Sequence, residues 1–414
     1  MMESTILAIH SKRIEPKFVV RSTYEDLYED KQIGEMVRAQ RALIVLRNCI
    51  TGREVVHPLS SFILDKWKSS KYNTQRQRAN QVVCFINYIM INNAKEFGIN
   101  SLSEIEFYHG TLFLNYLTSK GNKKSTVKRH ESILSEFYYY LTEKNLLKKI
   151  RINQFTKGYN KKYSEYIESP FKEVVYNNKR GKKVIHDIKP EFVIPLLETA
   201  YQEAPMIALG VYYQLFGGFR VGDAVNTTRD SITCIEPFGE FGQVIDIVQR
   251  DLRRKTKNSD GSNYVKKERE QYVFPYKKML SFLYKEHLKK YISKDGTNAL
   301  FLNTKGEAMS GATYRYYFTK IQKKFLHKLN SINDTKTQNY VQFLKSVKWS
   351  THIGRGIFSN SVAEIANTAL ELANARGDGT VDASLIYIEN TSRLEKKLEQ
   401  YLEKMYTGNY FYNN

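Results

Sequence analysis

Four short segments hold arginines, lysines, a histidine and a tyrosine, types that can bind an anion, move protons and act as a nucleophile. GGFRVGD carries Arg220 after a glycine pair and three residues before Asp223. RDLRRKTKNSDGSNYVKK is dense in cations, with Lys255 and Lys257 near its start and Lys266 and Lys267 at its end. WSTHIGRGIF sets His352 and Arg355 three apart, on one face if helical. ASLIYIENT contains Tyr387. Attack on a phosphodiester needs a nucleophile, neutralisation of the two non-bridging oxygens, and a proton for the leaving oxygen. A phenol can attack and later leave, storing the bond energy as a phosphotyrosine without a nucleotide cofactor. Guanidiniums, planar and permanently charged, suit the oxygens. An imidazole or a lysine manages protons.

Each segment alone has a plainer use. Arg220 and Asp223 read as an ordinary helix-surface ion pair. His352 reads as a structural histidine, the lysines as solvated, and Tyr387 is one of 30 tyrosines. Their order along one chain is what points to a shared chemistry.

The elements that must position them follow from periodicity. KPEFVIPLLETAYQ and APMIALGVYYQLFGGF read as helices, the second ending at Gly217-Gly218. QVIDIVQ and REQYVFP read as strands joined by the basic loop, and helical text dominates from Thr313 onward. Upstream, Ala79, Val82, Val83, Ile86, Ile89 and Met90 share one helical face, as do Val127, Leu134, Phe137, Tyr138 and Leu141. The aromatic run Phe137 to Tyr140 is expected in a core rather than stacked on bases. Residues 1–56 show no clear motif and form a segment of unknown role. A helical domain is expected over 57–150, a basic linker over 151–184, a mixed α/β catalytic domain over 185–391, and a helix with a tail over 392–414. Residues 151–190 hold ten Lys or Arg against four Asp or Glu, which suits a phosphate backbone.

Composition narrows the partner. The 414 residues carry 64 Lys+Arg against 43 Asp+Glu, a net charge of +21, which favours a polyanion. No apolar run is long enough to span a membrane, and the three cysteines form no CxxC, so a soluble cytoplasmic protein is expected. Acidic and histidine residues show no metal-ligand spacing, which disfavours a metal-dependent nuclease or polymerase. SKGNKKST lacks the upstream glycine of a phosphate-binding loop.

Taken together the four segments resemble the tyrosine recombinase (phage integrase) family over roughly residues 59–405. THIGR matches its HxxR motif, and ALFLNTKGEAMSGATYRYYF resembles the segment that precedes it. The resemblance implies Tyr387, 32 residues beyond Arg355, as nucleophile, Arg220 and Arg355 as the phosphate clamp, and His352 as a further donor. It implies a hairpin lysine, Lys255 or else Lys257, as general acid. The fold implied is mainly α with a small β-sheet and hairpin: a helical core-binding domain followed by the catalytic domain. Partners implied are double-stranded DNA and further copies of the chain, as a tetramer on DNA, with no cofactor and no metal. In the tail, Leu394, Leu398, Tyr401, Leu402 and Met405 form an apolar stripe that a neighbouring copy would cover. Two features depart from the pattern. The spacing of 132 residues from Arg220 to His352 is long, and ELANARGDGTVDASLIY lacks the usual His or Trp before the tyrosine. Counting back from Tyr387 puts Asp378 there; matching the preceding helix puts Ala375 or Arg376 there. A type IB topoisomerase, a telomere resolvase, or a DNA-binding protein with a decayed site are the competing readings.

Overall fold

The computed structural model describes residues 15–30, 35–159, 164–177, 184–253, 261–378, 381, 384 and 385. The chain divides into two compact units, Met1–Gly181 and Lys182–Asn414.

The first unit opens with a long antiparallel pair, β1 (Pro16–Asp30) and β2 (Glu35–Asn48), extended by β3 (Glu54–Val56) along β2. Gln40, Ala42 and Ile44 alternate inward on β2 and are buried. Helices α1 (Ser60–Trp67) and α2 (Tyr72–Ile86) pack on this sheet and satisfy its open backbone groups. Ser60 Oγ accepts from Ile44 N at 2.9 Å, Gln75 Oε1 accepts from Ala42 N, and Asn87 bonds both the N–H and the carbonyl of Phe18. A strand edge that would otherwise invite foreign pairing is thereby closed. The segment without a motif is thus a sheet bound to the helices. Short α3 (Ala94–Phe97) leads to α4 (Phe107–Ser119) and α5 (Lys124–Glu143). The expected inward face of α5 is buried, and Phe137 and Tyr138 join Phe62, Phe85 and Phe113 in an aromatic core. The basic stretch after α5 begins by folding onto these helices. It forms a small hairpin, β4 (Lys157–Tyr159) with β5 (Glu165–Ile167), then packs Phe171 edge-on to Tyr138 and bonds Tyr176 to Glu131.

The second unit is built around α7 (Pro205–Gly217), which is apolar all round and buried from Ile207 to Leu215, as a central helix must be. Around it lie α6 (Val193–Glu203), α8 (Val221–Asn226), an antiparallel sheet of β6 (Ile232–Cys234), β7 (Gln243–Ile247) and β8 (Arg269–Val273), then α9 (Met279–Lys290), α10 (Gly311–Asn330), α11 (Thr335–Ser346), α12 (His352–Ile365) and α13 (Ala369–Arg376). The expected pair of helices and the expected pair of strands are both present. Among the described residues no helix is long and apolar enough to cross a membrane.

Candidate functional site

The end of α7, the start of α12, the end of α13 and the start of β8 converge in the second unit. Gly218 ends α7 in the left-handed conformation at φ +67°, and a Cβ there would lie 2.5 Å from the Phe358 ring. Glycine therefore serves both the turn and the close approach of α12. The carbonyl it exposes accepts from Arg355 Nη1 at 2.5 Å. Two residues on, Arg220 opens α8. The Asp223 side chain accepts from the Arg220 backbone N–H at 3.0 Å, capping the helix instead of pairing with the Arg220 guanidinium. The partner of Asp223 is Arg269 of β8, whose Nη2 donates to Oδ2 at 3.0 Å; both side chains are buried.

Helix α12 begins at His352, so His352 and Arg355 do share a helical face. Arg355 is 5% exposed. Its Nη2 donates to the Arg376 carbonyl at 3.0 Å and to Asp378 Oδ1 at 2.7 Å. Arg220 Nη2 reaches the same Oδ1 at 3.2 Å. The two arginines, 135 residues apart in sequence, thus meet on one carboxylate oxygen. Arg376 Nε lies 3.2 Å from Oδ2, an ion-pair contact. Burial, then the charge of Arg220, push the Arg355 guanidinium down to about 10, with Asp378 opposing; it remains protonated at neutral pH. Desolvation, then the charges of Arg220, His186, Arg355 and Lys266, hold the His352 imidazole below the usual histidine range. His352 as a residue is exposed, so the surrounding cations carry the greater physical weight.

The basic loop between β7 and β8 is anchored on both sides of residues 254–260. Arg253 donates to the carbonyls of Val225 and Met309 and to Asn226 Oδ1, while Asn226 Nδ2 donates to the Asn263 carbonyl. Lys267, at the far side of the loop, donates to the Asp378 carbonyl at 3.1 Å. Lys255, Lys257 and Tyr387 lie outside the described residues, as does the apolar stripe of the tail. Of the three positions open for the missing His or Trp, the Asp378 side chain is the one that touches both Arg220 and Arg355. Ala375 contributes only its carbonyl, which accepts from Gln271 Nε2 at 2.8 Å.

Arg269 and His186 entered the site without a motif to announce them. The period of two in β8, which buries Gln271 and Val273, would have put Arg269 on the same face. His186 lies in an extended stretch beside Lys348, and its backbone presses on α12 where Gly356 leaves room. Among the described residues no group of three His, Cys, Asp or Glu is placed to hold a metal ion.

No protein-family description and no curated protein matches this sequence. Solved structures do match it in fold. The Tn1549 transposon integrase in complex with transposon right end DNA is 14% identical, with 82% of this chain and 98% of that one covered and a TM-score of 0.52. The same integrase with circular intermediate DNA gives a TM-score of 0.51 at 14% identity, over 79% of this chain and 94% of that one. The XerH site-specific recombinase on palindromic difH substrate, a post-cleavage complex, gives 0.50 at 18% identity over 80% of each chain. At such identities the likeness is one of fold.

Proposed function

We propose that this chain is a tyrosine site-specific DNA recombinase, the integrase of a mobile element, which cuts and rejoins DNA through a 3′-phosphotyrosyl intermediate. The observation that carries the reading is the meeting of Arg220, Arg355 and His352, drawn from distant segments, beside a cationic loop. Two guanidiniums side by side match the two non-bridging oxygens of a phosphodiester and gain strength from burial. His352, neutral among cations, donates to a phosphoryl oxygen, and the anion's charge draws its proton affinity back up. Tyr387 gives up its phenolic proton to water and attacks phosphorus, the P–O5′ bond breaks, and a lysine protonates the leaving 5′ oxygen. Lys255 takes that role by family resemblance, with Lys257 second, and Lys266 or Lys267 on the far side of the same loop after them. Rejoining reverses the step, so neither a cofactor nor a metal is required.

The remaining charge suits the length of the DNA. A net +21 gives affinity that falls steeply with salt. Double-stranded DNA is the partner, copies of the chain assemble on it as a tetramer coupled by the C-terminal residues 392–414, and the protein works in the cytoplasm on the nucleoid. The test is trapping on nicked duplexes made from the flanks of the element that carries the gene. The protein should form a covalent adduct that survives denaturation, and Tyr387→Phe should bind the same DNA without forming it. An adduct persisting in the Phe variant would move the nucleophile to Tyr401 or Tyr406.

A further inference from the structure

The carboxylate between the two arginines, Asp378, is one of the three positions open for the His or Trp of the resembling family. Its surroundings are more constrained than a surface loop allows. Gly377 ends α13 at φ +62°, and the backbone N–H of Asp378 returns to the Ala373 carbonyl at 2.9 Å, which closes the helix end. A Cβ at Gly377 would lie 2.0 Å from Arg269 Cδ, so the turn packs directly on the arginine that holds Asp223. The Asp378 side chain is 8% exposed and meets Arg220, Arg355 and Arg376, while its carbonyl receives Lys267. Such a residue is built in, not swung in.

The charges of the site agree with a lasting role. Arg220, Arg269, Arg355 and Arg376 face two carboxylates, Asp223 and Asp378. Among the described side chains of the site, cations thus outnumber carboxylates, as suits a transition state that gains negative charge. Arg220 Nη1 is also buried with no hydrogen-bond partner among the described residues, leaving a donor for a phosphoryl oxygen.

We propose that Asp378 is a positioning residue for strand cleavage: its Oδ1 ties Arg220 and Arg355 into one rigid clamp that grips both non-bridging oxygens of the scissile phosphate. The inference rests on the recombinase reading. It excludes the opposite role, in which the carboxylate occupies the phosphate's place and must leave before DNA can enter. Removing the carboxylate charge slows chemistry and spares binding, because the guanidiniums keep their charge and lose only their orientation.

The experiment measures single-turnover adduct formation and half-site affinity for the full chain and for Asp378→Asn and Asp378→Glu. Asn should cleave at least tenfold more slowly with affinity equal or tighter, and Glu, which keeps the charge, should fall between Asn and the natural residue. A DNA with a 5′-bridging sulfur needs little protonation of its leaving group, and it should not restore the Asn variant. Asn cleaving as fast as the natural protein or faster would overturn the inference in favour of a blocking carboxylate. Rescue by sulfur would overturn it in favour of proton delivery through Lys267. Glu no better than Asn, with both binding DNA, would remove the carboxylate from the mechanism. Should Asn fail to fold, Glu decides alone: cleavage within tenfold of the natural protein supports the tie, and a loss beyond a hundredfold overturns it. No adduct from the natural protein would defeat the recombinase reading itself, and this inference with it.

Discussion

Replacing Asp223 with asparagine tests whether the buried ion pair behind Arg220 holds the site together. Asp223 Oδ2 accepts twice, from the Arg220 backbone N–H and from Arg269 Nη2, both at 3.0 Å. Its side chain is fully buried, and that of Arg269 is 7% exposed. An asparagine oxygen in the place of Oδ2 can keep both hydrogen bonds, but the carboxylate charge is gone, its amide lies buried where Oδ1 had no partner, and the arginine's charge is left uncompensated. Breaking a buried pair from one side costs about 3–5 kcal/mol. For a unit of this size that is a fall in Tm of roughly 10 °C. Calorimetry should show the loss in the transition of the second unit. Asp223→Asn combined with Arg269→Gln should lose clearly less than the two single changes added together, because the stranded charge is gone. Cleavage should fall as well, since Arg269, without its carboxylate, no longer holds steady the Gly377 turn that carries Asp378. A loss below about 1 kcal/mol for Asp223→Asn would refute the reasoning, as an exposed pair would give that little.

Arg355→Lys keeps the charge but cannot fork between the Gly218 carbonyl, the Arg376 carbonyl and Asp378. Single-turnover cleavage should fall by about a hundredfold or more, on the order of 3 kcal/mol of transition-state stabilisation, with half-site affinity nearly unchanged; a loss under threefold would sink the clamp. Lys255→Ala and Lys267→Ala should each be compared on ordinary and 5′-bridging sulfur DNA. The variant restored by sulfur identifies the general acid, and restoration of neither would move the role to Lys257 or Lys266. The buried His287 is pushed down to about 4 by desolvation while its ring bonds the Leu300 carbonyl. Between the two pKa values the unfolded chain takes up a proton that the folded chain refuses. The stability contributed is therefore complete above about pH 6.5 and is lost as pH falls towards 4, on the order of 3 kcal/mol. Urea unfolding across pH 4–7 should be flatter in His287→Gln, with the similarly depressed His130 keeping part of the slope; an unchanged slope would refute the assignment.

The sequence by itself determined what is local. Helical periodicity marked the buried faces of α2 and α5, the glycine pair marked the end of α7, and the spacing of His352 and Arg355 put them on one face of α12. These features depend on residues a turn or two apart, so a short stretch of text contains them. The motifs named Arg220, Arg355 and His352 for the same reason. Other features depended on packing. Strands β1 and β2 escaped notice because their distal halves face solvent: Tyr24, Leu27, Tyr28 and Met36 are exposed, so the inward alternation that marks a half-buried strand breaks off. For the place of the missing His or Trp, counting back from Tyr387 pointed to Asp378 and matching the preceding helix pointed to Ala375 or Arg376, so the text alone left three candidates. Which of them meets the two arginines depends on tertiary structure, because an ion pair between residues 158 apart, Arg220 and Asp378, forms only when the end of α7, the start of α12 and the end of α13 lie at one point. Periodicity reports which side of an element is buried. Only the packing of those elements determines which charges share that burial.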